Sequence, residues 1–186
     1  MFAPDYPLRT ERLTLRPYRE SDLEYVADTF TRPEVVRYLY DEVWTPETVA
    51  DLLSRRQGLG EIRREGDRLV LAVEETATGQ VVGDVSLTYV SVVHRSGEVG
   101  WIFNPAHQGK GYATEAATEI LRIGFEEMLL RRIFARCDAR NVASVRVMEK
   151  LGMRREAHFV ENEFVKGEWT DELVYALLAS EWKERR

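Results

Sequence analysis

The chain has 186 residues, 44% of them hydrophobic and 31% charged, a balance typical of one globular domain with a sizeable core. Its net charge of −6 argues against nucleic acid as a main partner, because that binding relies on basic groups that neutralise phosphates. One cysteine and three histidines exclude an internal disulfide framework and offer no metal-ligand cluster.

The sequence contains no pattern typical of a membrane-spanning or secreted protein. No apolar run approaches the length that a transmembrane helix needs, so we expect no membrane partner. The first ten residues lack the apolar segment of a secretory signal. A single cysteine fits a reducing compartment, and we therefore expect a cytoplasmic protein.

The first half of the chain predicts two helices and four strands. Ser21 has the position of an N-cap, and Glu24 completes a capping box that starts the first helix. Pro46 opens the second helix, because proline is favoured at the first helical position. In order, the elements are a strand at 13–16, a helix reaching about residue 30, a helix from about 45 to 56, and strands at 69–74, 81–89 and 98–103.

The second half predicts two helices and three strands. Apolar side chains recur at helical spacing after Tyr112, and Gly152 ends a later helix. The elements are a helix from about 112 to 128, a strand at 132–137, a helix at 142–151, and strands near 153–160 and 172–178. No linker or repeat interrupts them, so helices interleaved with one mixed sheet predict a single α/β (or α+β) domain over 1–186.

The most informative segment joins the strand at 98–103 to the helix that follows. Two glycines, Gly109 and Gly111, let the backbone turn tightly and approach a ligand closely. The unpaired N–H groups of the next helical turn favour an anion such as a pyrophosphate. A Walker A loop is excluded because Tyr112 follows Gly111 where lysine is required, and a dinucleotide loop because Thr114 replaces the third glycine.

This turn and a second segment together resemble the GNAT superfamily of acyl-CoA-dependent N-acyltransferases. Gln108, Gly111 and Ala113 match its (Gln/Arg)-x-x-Gly-x-(Gly/Ala) signature, and 141–153 is similar to its second motif. Both chain ends are similar to the ribosomal-protein N-terminal acetyltransferase (RimJ/RimL-like) branch, so the likeness covers about 8–182. It implies a sheet of six to seven strands that splays between the fourth and fifth strands, flanked by about four helices.

The same resemblance implies acetyl-CoA as acyl donor and direct attack by a primary amine in a ternary complex. The lack of a metal-ligand cluster in the composition predicts that no metal takes part. The cofactor arm is expected between the strands at 98–103 and 132–137, where a backbone N–H near Ile102 or Phe103 would hold the acyl carbonyl. The predicted cofactor-binding residues are Trp101, Ile102, Phe103, Gln108, Gly109, Lys110, Gly111, Tyr112, Ala113, Thr114 and Asn141.

Three residues are candidates for proton transfer. Glu98 opens the central strand and Glu163 aligns with the base of the branch; either can deprotonate an amine directly or through water. The alternatives are that Glu98 is a solvated residue at a strand start and that 161–163 form a solvated acidic loop. Met148 stands where many family members have a tyrosine acid, and a thioether donates no proton. The branch implies Ser144 instead, as a hydrogen-bond donor to the leaving thiolate, with completion of the cap set by Asn141 as the alternative.

Several questions stay open at this point. Tyr38, Tyr40 and Trp44 are candidates for the acceptor wall, or for a satellite core. The acceptor is a protein N-terminal amine, which the branch favours, or a small amine, and the protein is a monomer or a homodimer. A different class of function, an acyl-CoA-binding regulator without turnover, is the alternative that the methionine at position 148 leaves open.

Overall fold

The computed structural model describes residues 2–40 and 42–185. Within them the strands form one eight-stranded sheet in the order β1-β2-β3-β4-β5-β6-β8-β7. The strands are β1 (Leu8–Arg9), β2 (Leu13–Arg16), β3 (Arg68–Glu75), β4 (Gln80–Ser91), β5 (Ser96–Phe103), β6 (Arg132–Asp138), β7 (Arg154–Val165) and β8 (Glu168–Leu178). β5 and β6 run parallel, and the other neighbours are antiparallel.

Six α-helices accompany this sheet in the described residues. They are α1 (Leu23–Phe30), α2 (Pro33–Val36), α3 (Val49–Gln57), α4 (Tyr112–Arg122), α5 (Val142–Lys150) and α6 (Ala179–Lys183). Short 3-10 turns occupy Glu20–Asp22 and Pro105–His107, and a π-helical turn, Ile123–Glu127, follows α4. None of the described helices is long and apolar enough to cross a membrane.

The two faces of the sheet bury separate apolar clusters. Along β3, Leu69 and Leu71 face the main core with α4, while Val70 and Ala72 face a second core with α1 and α3. Successive strand residues point to opposite faces, so a strand covered on both sides is apolar throughout. Burying a leucine side chain contributes about 1.5–3 kcal/mol. The continuous apolar run of β3 is therefore explained by helices on both sides.

The predicted splay is present between β5 and β6. Their pairing joins Ser96–Glu98 to Arg132–Phe134, and beyond it 99–103 and 135–138 line opposite sides of a cleft. These two strands were the fourth and fifth in the prediction, and the two-residue β1 shifts the numbering by one. Eight strands and six helices replace the six to seven strands and about four helices expected, because β1, α2 and α6 are too short to show a periodicity.

The start of α1 differs from the prediction for an identifiable reason. The helix begins at Leu23, so Ser21 is not its N-cap and lies in the preceding 3-10 turn. The carboxylate of Asp22 accepts the backbone N–H of Arg19 at 2.7 Å and the guanidinium of Arg16 at 2.8 and 2.9 Å. A buried ion pair therefore sets this boundary instead of the capping box with Glu24.

Other boundaries also moved. The helix expected from about residue 45 begins at Val49, and the one expected to reach 128 ends at Arg122 before the π-helical turn. The last two strands form one long hairpin whose turn contains Lys166 and Gly167, both at positive φ. Residues 161–163 thus belong to β7 instead of an acidic loop, although a register shift lies between Phe159 and Glu163.

Candidate active site

A cleft of about 800 Å³ opens where β5 and β6 separate. One end reaches the glycine turn before α4, and the other reaches the segment after α2 and the β7–β8 hairpin. Most of the predicted site residues line it: Tyr38, Tyr40, Glu98, Trp101, Ile102, Phe103, Gln108, Gly109, Gly111, Tyr112, Ala113, Thr114, Asn141, Ser144 and Glu163. Lys110 and Trp44 lie outside its walls.

The glycine turn has the backbone conformation that an anion site needs. Gly109 and Gly111 adopt φ of 78° and 84°, in the left-handed region that favours glycine, and Gly111 is the N-cap of α4. A Cβ at Gly109 would meet no atom within 4 Å, so conformation and not crowding selects glycine there. The first turn of α4 lines the cleft and carries the partial positive charge of a helix N-terminus. These residues fit a pyrophosphate.

Side chains around the turn hold it in place. The Gln108 amide donates to the Phe103 carbonyl at 3.1 Å, which ties the turn to the end of β5. Asn104, buried and not predicted, donates to Asp28 at 2.7 Å and Thr29 at 2.9 Å. The Asn104-Pro105 pair is a turn signal in the sequence, but it does not indicate burial. The turn is therefore anchored to both β5 and α1.

Two of the predicted cofactor-binding residues, Tyr112 and Phe103, turn their side chains away from the cleft. The Tyr112 ring is buried in the main core, and its hydroxyl donates to Glu75. The Phe103 ring also packs inward, so close over Gly83 that a Cβ there would lie 2.4 Å from it. The side chains of both residues thus face the core, and their N–H groups are what they can offer to a ligand.

The start of α5 presents a hydroxyl to the cleft. The Asn141 side-chain oxygen accepts the Ser144 backbone N–H at 3.1 Å and so caps the helix. Among residues 2–40 and 42–185, neither the Ser144 hydroxyl nor the Asn141 amide nitrogen has a hydrogen-bond partner. Met148 is fully buried in the main core and does not line the cleft. Both its position and its thioether therefore exclude it as the acid.

Three carboxylates lie near one another at the other end of the cleft, and two of them pair with one guanidinium. Arg136 donates to Glu98 at 3.0 Å and to Glu172 at 3.2 Å, and the Tyr40 hydroxyl donates to Glu163. We call these five residues the acceptor cluster. The structure thus brings together three predicted residues with two that the sequence interpretation missed, Arg136 and Glu172.

Burial and mutual repulsion perturb this cluster. Burial raises the pKa of Glu172, and the nearby Glu163 and Glu98 raise that pKa further, while Arg136 opposes them. Burial also raises the pKa of Tyr40, and its hydrogen bond to Glu163 acts in the same direction. Perturbed groups that line a cleft are typical of functional sites. The arrangement can bind a cation and accept a proton from it.

The remaining candidates are more peripheral. Tyr38 lines the cleft with the guanidinium carbons of Arg37 and Arg140 at 5.3 and 5.9 Å from its ring centroid. Trp44 packs instead against the second core. Of the two interpretations left open for Trp44, the satellite core therefore fits and the acceptor wall does not. The Lys110 ammonium lies 5.6 Å from the Tyr112 ring centroid, at the edge of the glycine turn.

The placement of possible metal ligands bears on the expected chemistry. Within the part of the chain that the structure describes, no group of three or more His, Cys, Asp and Glu side chains is placed to hold a metal ion. The expectation of a metal-free reaction stays a prediction.

Comparisons with known proteins agree on one family. A family model described as an acetyltransferase (GNAT) domain matches residues 12–154. The uncharacterized N-acetyltransferase YnaD of Bacillus subtilis is 37% identical over 175 residues, 94% of this chain and 98% of YnaD. A GNAT-family acetyltransferase from Bacillus anthracis superposes with a TM-score of 0.83 at 34% identity, covering 94% of this chain and 99% of that one.

One similar structure was solved with ligands. The spermidine N-acetyltransferase from Vibrio cholerae, in complex with CoA and spermine, gives a TM-score of 0.77 at 25% identity. The match covers 94% of this chain and 99% of that chain.

Proposed function

The chain belongs to the GNAT acetyltransferase family and transfers an acetyl group from acetyl-CoA to an amine, and we propose that its acceptor is a small polycationic amine. The observation that carries this proposal is the acceptor cluster, where Glu98 and Glu172 share the guanidinium of Arg136 and the carboxylate of Glu163 lies close enough to raise the pKa of Glu172. An ammonium group that enters the cluster offsets its excess negative charge. A second ammonium on the same molecule would pair with another carboxylate of the cleft lining, such as Glu34.

The relatives support a small amine over a protein N-terminus. The spermidine N-acetyltransferase from Vibrio cholerae, which shares this fold, was solved with spermine. The likeness of the chain ends to the ribosomal-protein branch is not confirmed by the relatives reported above, which are YnaD, a Bacillus anthracis acetyltransferase and a spermidine acetyltransferase. The regulatory alternative without turnover is set aside, because this chain is an N-acetyltransferase by family.

Residues at the other end of the cleft are suited to hold the donor. Backbone N–H groups of Gly109–Gly111 and of the first turn of α4 would bind the pyrophosphate. The Asn141 amide would donate to the arm, and a backbone N–H at Ile102 or Phe103 to the acyl carbonyl, where negative charge develops. Acetyl-CoA, when bound, supplies the acetyl group as a thioester.

The chain's own groups would move the protons. A carboxylate of the acceptor cluster takes one proton from the ammonium, and Glu98 and Glu163 are the predicted candidates. A nitrogen–carbon bond then forms while the carbon–sulfur bond breaks. The Ser144 hydroxyl, at the start of α5, donates a hydrogen bond to the departing thiolate.

Free-thiol release from acetyl-CoA tests the proposal. The acceptors are spermidine, a monoamine of similar length with an uncharged tail, an amino acid, and a peptide with a free N-terminus. We expect the largest kcat/KM for spermidine and a decrease with added salt, because screening weakens charge attraction. Preference for the peptide, with spermidine at the acceptor-free rate, would contradict the proposal.

A further inference from the structure

We propose that Glu172, which belongs to neither sequence motif, is the carboxylate that removes the proton from the acceptor ammonium. The inference rests on one part of the proposed function, that an amine reacts at the acceptor cluster. It does not require that this amine is a polycation. It distinguishes Glu172 from Glu98 and Glu163, the two carboxylates that the sequence indicates.

The position of Glu172 is that of a buried group facing a ligand cleft. It lies on β8, lines the cleft, and has 8% of its side chain exposed. Its two oxygens accept hydrogen bonds from Arg136 and from Asn162, both at 3.2 Å. Only the Arg136 donor is charged, and Arg136 directs two other nitrogens to Glu98, so Glu172 has the smaller share of that guanidinium.

The other two carboxylates accept hydrogen bonds that stabilise their charged forms more strongly. Glu98 receives two donors from Arg136, at 3.0 and 3.4 Å, and its side chain is 27% exposed. Glu163 accepts the Tyr40 hydroxyl. An anion that is neutralised by a two-donor ion pair, or engaged by a phenol, is a poorer proton acceptor than a buried anion with one charged donor.

Charges on β5, β6 and β7 act on Glu172, whose directly paired residue on β6 is the acidic Asp138. Arg136 on β6 faces it and lowers its pKa, while Glu98 on β5, Glu163 on β7 and burial itself raise it. Asn162 is neutral and donates one hydrogen bond. The net result is a raised pKa, so the Glu172 carboxylate has more affinity for a proton than an ordinary glutamate, as general-base catalysis requires.

The step balances without an added reactant. The ammonium R–NH3⁺ gives one proton to the Glu172 carboxylate, which leaves R–NH2 and a neutral carboxyl group. The amine nitrogen bonds to the acetyl carbon, the carbon–sulfur bond breaks, and the second nitrogen proton neutralises the CoA thiolate. The carboxyl group then releases its proton to solvent.

Isosteric variants test this assignment. For Glu172→Gln we expect kcat to fall by ~100-fold or more, within the range for loss of a general base, with an unchanged KM for acetyl-CoA. The acidic limb of the kcat/KM pH profile should disappear in this variant. Glu98→Gln and Glu163→Gln should lower turnover but keep that limb. Glu156→Gln, which removes a β7 charge outside the cleft, is the matched control and should behave as wild type.

Each outcome decides between the claims. Turnover within threefold of wild type in Glu172→Gln, or a raised acceptor KM with the acidic limb intact, overturns the assignment. If the wild type acetylates another amine of the panel and not spermidine, the polycation proposal fails, while the same variants still test Glu172 on that amine. If no amine reacts, carbon-13 carboxyl titration of the free protein decides. A Glu172 signal that titrates in the ordinary glutamate range then refutes the inference.

Discussion

The side-chain oxygen of Asn141 accepts the backbone N–H of Ser144 at 3.1 Å, and this contact separates the two roles considered for the serine. The helix cap is made by the Asn141 oxygen, with the Ser144 backbone as its donor. The Ser144 hydroxyl takes no part in that bond and lines the cleft.

Ser144→Ala should therefore affect turnover and not stability. A hydrogen bond to a charged group contributes about 1.5–3 kcal/mol, so we expect kcat to fall by ~10- to 100-fold. KM for acetyl-CoA and Tm should change little. Ser54→Ala, in an exposed position of α3, is the control and should leave kcat unchanged. A lower Tm with normal kcat would return Ser144 to a purely structural role.

Gly111→Ala should weaken acetyl-CoA binding as well as stability. At φ of 84° an alanine is strained by about 1–2 kcal/mol, and relief of that strain moves the N–H groups that face the anion. Gly79→Ala is the matched control, because Gly79 has φ of 71° in the turn between β3 and β4, away from the cleft. Calorimetry should show a reduced affinity for acetyl-CoA in Gly111→Ala and an unchanged affinity in Gly79→Ala. Equal affinity in both variants would argue against this anion site.

Arg136→Gln should shift the pH dependence of the reaction. Arg136 lowers the pKa of Glu172, so its removal raises that pKa further. The active base is the deprotonated carboxylate, and a higher pKa means that a higher pH is needed to form it. We expect the acidic limb of kcat/KM to move to higher pH. An unchanged limb, with the loss confined to kcat, would mean that Arg136 does not act through this carboxylate.

Asp22→Ala should destabilise the fold. The Arg16 and Asp22 side chains are 5% and 3% exposed, and loss of one partner leaves a buried charge. Glu74 still pairs with Arg16 at 2.8 Å, so we expect a loss of about 3 kcal/mol, at the low end for a broken buried pair. Arg63→Ala, which removes an exposed pair with Glu61, should barely change chemical denaturation. Similar curves for both variants would contradict this account of α1.

The conformations of the glycine turn and of the Asn141 cap were predictable because their signals are local, while their role in binding the cofactor stays a prediction. Gly109, Gly111 and Asn141 act through the conformation of their own turns, and a turn can be read from a few neighbouring residues. The splay of β5 and β6 followed from the family resemblance. The acceptor end was only partly predictable, because Arg136 and Glu172 come close to Glu98 through pairing of strands that are distant in the sequence.

The β7–β8 hairpin shows a second limit. β7 is an edge strand of the sheet, and most of its residues are exposed on both faces. It therefore lacks the period-two alternation that marks a half-buried strand, and Glu161 and Glu163 looked like parts of a solvated loop. The burial of Glu172 could not be predicted either. Glu172 opens the predicted strand at 172–178, and charged residues are rarely fully buried.

A competition reaction tests the central claim most directly. Wild-type protein is incubated with acetyl-CoA and equal concentrations of spermidine, the monoamine with an uncharged tail, and the peptide with a free N-terminus, and product masses are measured. The account predicts that spermidine carries nearly all of the acetyl label. Acetylation of the peptide with spermidine unmodified would contradict it.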